Sequence, residues 1–113
     1  MEAVATLPRG RELTVADLES MPDDGHRYEL FDGALVVTPA PSMLHQTVSI
    51  ELAMVLRLAC PPELKVLAAP LDVLLGKNTG VQPDLLVARL ADLAEKNLPT
   101  APLLAVEILS PRT

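Results

Sequence analysis

Aromatic residues are almost absent from this chain of 113 residues: Tyr28 and Phe31 are its only two, and there is no tryptophan. A core must therefore be built from leucine, valine and alanine, and the stacking platforms on which single-stranded nucleic acids are held are missing. Basic charge is also short. Nine Lys and Arg against fifteen Asp and Glu give a formal net charge of -6, which excludes an overall basic footprint for phosphate backbones while leaving local patches open. The one cysteine, Cys60, stands in an apolar run before Pro61; it forbids an internal disulfide and reads as a small core residue. No stretch approaches the roughly 18 apolar residues that span a bilayer, and no charged segment followed by a long apolar run opens the chain. A cytoplasmic location is the expectation.

Missing motifs narrow the chemistry further. There is no glycine-rich phosphate loop, no serine elbow, and two scattered histidines with one cysteine do not make the usual zinc site. The length allows one small domain. Residues 1–12 read as a flexible leader and 13–113 as the domain.

What is present is a mixed order of elements. Thr14 and Asp17 form a capping signal for a short helix ended by Pro22. Asp32-Gly33 between the apolar runs 28–31 and 34–37 predicts a tight hairpin. Ser42 can cap a long helix whose residues Leu44, Val48, Leu52, Val55, Leu56 and Ala59 recur at three- and four-residue intervals, ending at Pro61-Pro62. Extended segments follow at 65–69 and 71–75, then a polar turn at 76–80, a strand at 81–87, a short helix or turn at 90–96, and a last strand at 103–109. The expected class is α+β or mixed α/β. The last strand is apolar on both faces, so each face calls for a cover. The chain stops soon after it, and the domain looks unfinished at its C-terminus; an exposed sheet of this kind favours a homodimer.

The most informative residues are two acids in those apolar strands, Asp84 in Val81-Gln82-Pro83-Asp84-Leu85-Leu86-Val87 and Glu107 in Leu103-Leu104-Ala105-Val106-Glu107-Ile108-Leu109. An ionised carboxylate in an apolar strand needs a compensating cation, and a divalent metal supplies it. Two carboxylates and a backbone carbonyl, here that of Ile108, suit a hard ion in an open octahedral site, and Glu29 in the first strand is a candidate third carboxylate. Simpler readings stand beside this one. Pro83-Asp84 can be a plain turn, Glu107 can pair with Arg89 or Arg112, and Glu29 can lie on an exposed hairpin edge. His45 and Gln46 can help to bind phosphate or metal, though His45 reads first as an exposed first-turn residue; His26 reads as loop, and Asp72 as either a site neighbour or part of a solvated strand face.

Taken in order, several blocks carry a family resemblance. Tyr28-Glu29-Leu30 with Asp32-Gly33, Pro39-Ala40-Pro41 with His45-Gln46, Gln82-Pro83-Asp84, and Val106-Glu107-Ile108-Leu109-Ser110-Pro111 resemble the successive signature blocks of the Uma family of bacterial restriction endonucleases, within the PD-(D/E)XK nuclease superfamily. The resemblance runs from about Leu13 to the end. It implies a restriction endonuclease-like core, a mixed sheet flanked by helices, with Mg²⁺ or Mn²⁺ as cofactor and DNA as substrate. Asp84 and Glu107 take the places of the superfamily's two acids, and Glu29 that of the family's upstream glutamate. One departure is plain: two residues after Glu107 the superfamily pattern has lysine, and this chain has Leu109. In the family that lysine is attributed to a helix after the serine-proline block, beyond Thr113. Without it, metal binding should outlast turnover, and a truncated, catalytically inactive remnant serving as an interaction module is the rival expectation.

Overall fold

The computed structural model describes residues 11–109. Residues 1–10, most of the expected leader, the end of the serine-proline block and Arg112 therefore lie outside the described residues. The elements run α1 (Val15–Leu18), β1 (Arg27–Phe31), β2 (Ala34–Thr38), α2 (Met43–Ala59), β3 (Leu64–Ala68), β4 (Asp72–Leu74), β5 (Gly80–Val81), β6 (Leu85–Arg89), a single 3₁₀ turn (Leu90–Asp92), β7 (Asn97–Leu98) and β8 (Leu104–Val106). The class is α+β with a restriction endonuclease-like arrangement. Two sheets are present instead of one. A five-stranded mixed sheet has the order β2-β1-β5-β4-β7, and a three-stranded antiparallel sheet has the order β3-β6-β8.

Local chemistry accounts for the early elements. At α1, Asp17 Oδ2 accepts from the Thr14 N–H at 2.7 Å. The Asp17 carboxylate thus closes a capping box with Thr14 at the start of the helix. The hairpin forms as expected, because Asp32 (φ 48°) and Gly33 (φ 87°) both adopt the left-handed region that a two-residue turn of this type needs. Arg27 to Phe31 then pair residue for residue with Thr38 to Ala34. At α2, Ser42 Oγ accepts from the His45 N–H at 3.1 Å, the expected cap.

The core lies between the sheets. Leu30, Val73, Leu85, Leu86 and Leu98 are the largest fully buried side chains, and Val73, Leu86, Ala88 and Leu98 form one cluster to which Leu67, Leu71, Val81 and Leu93 add. β6 is buried through Ala88 on both faces, as a continuous apolar run flanked on both edges by β3 and β8 should be.

Three expectations are corrected. The run 81–87 is not one strand: β5 stops at Val81 and β6 starts at Leu85, each in a different sheet. Pro83 brings no N–H to a ladder, and the Gln82 N–H is taken by a side chain, Glu29 Oε2 at 2.7 Å. Asp84 is consequently a bend residue at the crossing between sheets. The last strand is likewise shorter, ending at Val106, so Glu107 follows it; β8 is a sheet edge with Leu103 and Leu104 exposed. Finally, the inner face of α2 is shifted from the expected stripe. Leu52 and Leu56 of that stripe are half-buried, joined by His45, Ser49 and Ala53, whereas Leu44, Val48, Val55 and Ala59 are exposed. Apolar residues surround this helix, so periodicity alone could not choose its inner face. No helix among the described residues is long and apolar enough to cross a membrane.

Candidate functional site

Sheet register brings the two strand-end acids together. In the β6–β8 pair Leu85 faces Val106, and because the strands are antiparallel the next residues outward are Asp84 on one and Glu107 on the other. The Ile108 N–H completes the junction by donating to Asp84 Oδ2 at 2.7 Å. From β1 come Arg27 and Glu29, two residues apart and therefore on one face of the strand. Arg27 Nη1 donates to the Gln82 carbonyl and to Asp84 Oδ1, both at 3.0 Å. The crossing segment 82–84 is thus strapped to β1 by a guanidinium and a carboxylate.

All three predicted acids meet at this point. Glu29 and Asp84 are buried, at 4 % and 5 % exposure, while the Glu107 side chain is 54 % exposed. Glu29 therefore does not lie on an exposed hairpin edge, since β1 is flanked by β2 and β5. Glu107 is not the deeply buried acid its apolar neighbours suggest; it stands at the rim. Among the described residues its cation is not the expected Arg89, which pairs with Asp92 at 3.8 Å, but Arg27, whose Nη2 approaches Glu107 Oε2 at 3.6 Å; Arg112 lies outside the described residues.

Two residues define the centre, Arg27, which sequence reasoning passed over, and His45, which it weighed and read as exposed. Arg27 reaches Asp84 Oδ1, Glu29 Oε1 (3.3 Å) and Glu107 Oε2 at once. The Nε contact to Glu29 is not aligned as a hydrogen bond, leaving that buried N–H without one. His45 is the second, and the expectation of an exposed first-turn residue is corrected: its side chain is 14 % exposed and its Nε2 lies 3.2 Å from Asp84 Oδ1. Its Nδ1 is buried without a hydrogen-bond partner. The signal for Arg27 was its position two residues before Glu29 in a strand. For His45 it was the alternative helix stripe through Ser49, Leu52, Ala53 and Leu56.

Electrostatics separate the acids. Burial raises the Asp84 pKa, but the Ile108 N–H, the Arg27 charge and His45 outweigh it and hold this carboxyl below its ordinary value. Glu107 moves the other way: partial burial, then the facing Asp84 carboxylate, push it up despite Arg27. Three carboxylates against one guanidinium leave an excess of negative charge.

Asp84 and Glu107 stand in the wall of an open cleft of about 1280 Å³, lined also by Gln46 and Ser49 of α2, Asp72 and Gln82. Asp72 faces this cleft edge, accepting from Gln82 Nε2 at 2.8 Å. Among the described residues Arg27 is the only arginine of the lining, and no lysine contributes to it.

Among the described residues, no three or more His, Cys, Asp or Glu side chains are already grouped at metal-binding spacing. Magnesium does not require such a group, because it is commonly held by one or two carboxylates and completes its shell with water and phosphate oxygens. Oxygen donors with uncompensated negative charge fit that ion; the existing cation, Arg27, occupies part of the place.

No curated protein matches the chain. A family model does, over residues 15–113, and its description is putative restriction endonuclease. With the short helix, the hairpin, the crossing segment and both strand-end acids all inside that match, the chain belongs to the Uma2 family.

Proposed function

We propose that this domain is a metal-dependent endonuclease that hydrolyses DNA phosphodiester bonds, with Asp84 and Glu107 as side-chain ligands of Mg²⁺ or Mn²⁺ and the Ile108 carbonyl as a third donor. The observation that carries this reading is the meeting of Asp84 and Glu107 at adjoining strand ends, in a cleft wall, with more carboxylate than cation. Family membership gives the reaction class.

Each residue then has a task. Asp84, held ionised by Ile108, Arg27 and His45, is the anionic anchor. Glu107, at the rim, reaches from the solvent side. Glu29 assists from β1, as a ligand or as a base that orients water, and it fixes the crossing segment through Gln82. A bound divalent ion would supply a polarised water and neutralise charge on the scissile phosphate. It would also remove an obstacle: a polyanion meets repulsion from three clustered carboxylates until a cation offsets them.

The test is nicking of supercoiled plasmid in Mn²⁺ by the complete protein and by its Asp84→Ala variant. A loss of at least about 100-fold is expected, the scale of removing one electrostatic stabiliser of a transition state. Unchanged metal-stimulated cleavage by Asp84→Ala contradicts the assignment. One observation favours the rival, inactive reading: Leu109, where the superfamily pattern has lysine, is 90 % exposed, and no lysine lines the cleft. Metal binding without any nicking is the result that supports it. A DNA-directed activity accords with a cytoplasmic location.

A further inference from the structure

Arg27 sits where one cation touches every acid of the site. Its three nitrogens spread over three carboxylates, at 3.0 Å to Asp84, 3.3 Å to Glu29 and 3.6 Å to Glu107. A guanidinium with a permanent partner makes short, paired, in-plane hydrogen bonds to it. Here only Nη1 bonds well to an acid, and the buried Nε has no aligned acceptor. The position balances the charge of the group more than it satisfies any one member.

The same lone pairs are those a divalent ion would need. Asp84 Oδ1 is approached by both Arg27 Nη1 and His45 Nε2, and Oδ2 is taken by the Ile108 N–H. An ion bound to Asp84 and Glu107 would stand within a few ångströms of the guanidinium, and like charges at that range repel strongly in a half-buried site. Glu29 offers the guanidinium somewhere to stay, since its carboxylate faces Nε from the same strand face.

We propose that Arg27 is the resident counter-ion of the site, which a divalent metal displaces: ion and guanidinium exchange at Asp84 and Glu107, while Glu29 and the Gln82 carbonyl retain the arginine. This rests on the metal-dependent reading above. It gives Glu29 the further task of holding the displaced cation, and makes Arg27 a positioning residue for the metal-free site.

The sign of one measurement separates this from a bracing role. If Arg27 only braced the acids, its loss would scatter them and weaken metal binding; as a competitor, its loss strengthens binding. Mn²⁺ titration calorimetry on the complete protein, on Arg27→Gln, on Arg27→Lys and on Asp84→Asn reads this directly. Arg27→Gln is expected to bind Mn²⁺ about tenfold more tightly than the unaltered protein, the order of effect for removing a nearby like charge. Arg27→Lys falls between them, because an ammonium is a compact point charge that cannot reach three carboxylates together. Asp84→Asn binds none.

Should Arg27→Gln lose its fold without metal, thermal melting decides: Mn²⁺ is expected to restore it with a larger rise in melting temperature than in the unaltered protein. Failure of Mn²⁺ to do so counts against the exchange. If Mn²⁺ binds through Asp84 but Arg27→Gln binds equally or more weakly, the exchange is overturned and the metal reading stands. If no form binds Mn²⁺, both fall together.

Discussion

Asp84 and Glu107 share a site yet are pushed in opposite directions, and pH exposes the difference. A carboxyl whose folded pKa is lowered, as for Asp84 and for Asp17, which Arg11 and the Thr14 N–H bring down to about 2, contributes stability above its unfolded pKa near 4. That contribution is lost as pH falls through the folded value. Glu107, raised in the fold, holds its proton longer folded than unfolded, so stability declines as pH rises from its unfolded to its folded pKa. Glu107→Gln should therefore raise the metal-free melting temperature at neutral pH, on the order of a few degrees, and remove that decline. A fall in melting temperature at pH 7 would show that the Arg27–Glu107 contact outweighs the repulsion from Asp84. The acids were legible in the sequence because ionised groups in apolar runs contradict their surroundings. Arg27 was not, since an arginine at a strand's start is ordinary on its own; only the fold reveals that it faces acids contributed by segments distant in the chain.

Elements governed by local chemistry were readable, and those governed by pairing were not. The Asp-Gly turn and the Ser42 cap depend on a few adjacent atoms, so their residues announce them. Gly33→Ala places a side chain at φ 87°, with its Cβ 3.2 Å from the Glu12 Cβ. The expected cost is about 1–2 kcal/mol, measurable by urea unfolding; a change within error would mean that the hairpin can relax to another turn. Ser42→Ala should cost about 1 kcal/mol. Because the same cap orients the first turn that carries His45 toward Asp84, it should also weaken Mn²⁺ binding; an unaltered affinity would mean that packing alone places His45. The split of 81–87 into β5 and β6 was hidden because Val81 and the apolar run Leu85 to Val87 suit one strand or two. Pro83 was the visible marker, and its meaning came from the side chain that takes the Gln82 N–H.

At the scale of the whole molecule, composition set the class and left the surfaces open. α2 carries only Glu51, Arg57 and His45 as ionisable residues along Met43–Ala59, and Met43, Ile50, Met54 and Leu58 are exposed on it, Leu58 at 86 %. A nearly uncharged apolar helix face has little to oppose pairing with a copy of itself. Sedimentation velocity should accordingly show this chain as larger than a monomer, with Leu58→Glu shifting it toward monomer; a monomeric chain at all concentrations would contradict this. The order of elements was legible except for the short β7, whereas the division into two sheets was not, because nothing in a strand's sequence states which sheet it joins. That division matters for the site, since Asp84 lies where the chain crosses from one sheet to the other. The account rests on a divalent ion at that crossing. Its most direct test is anomalous diffraction from crystals soaked in Mn²⁺. A single strong peak is expected at about 2.0–2.3 Å from carboxylate oxygens of both Asp84 and Glu107, with the Arg27 guanidinium turned away from Asp84. A soaked crystal with no peak there, and Arg27 still bonded to Asp84, would contradict it.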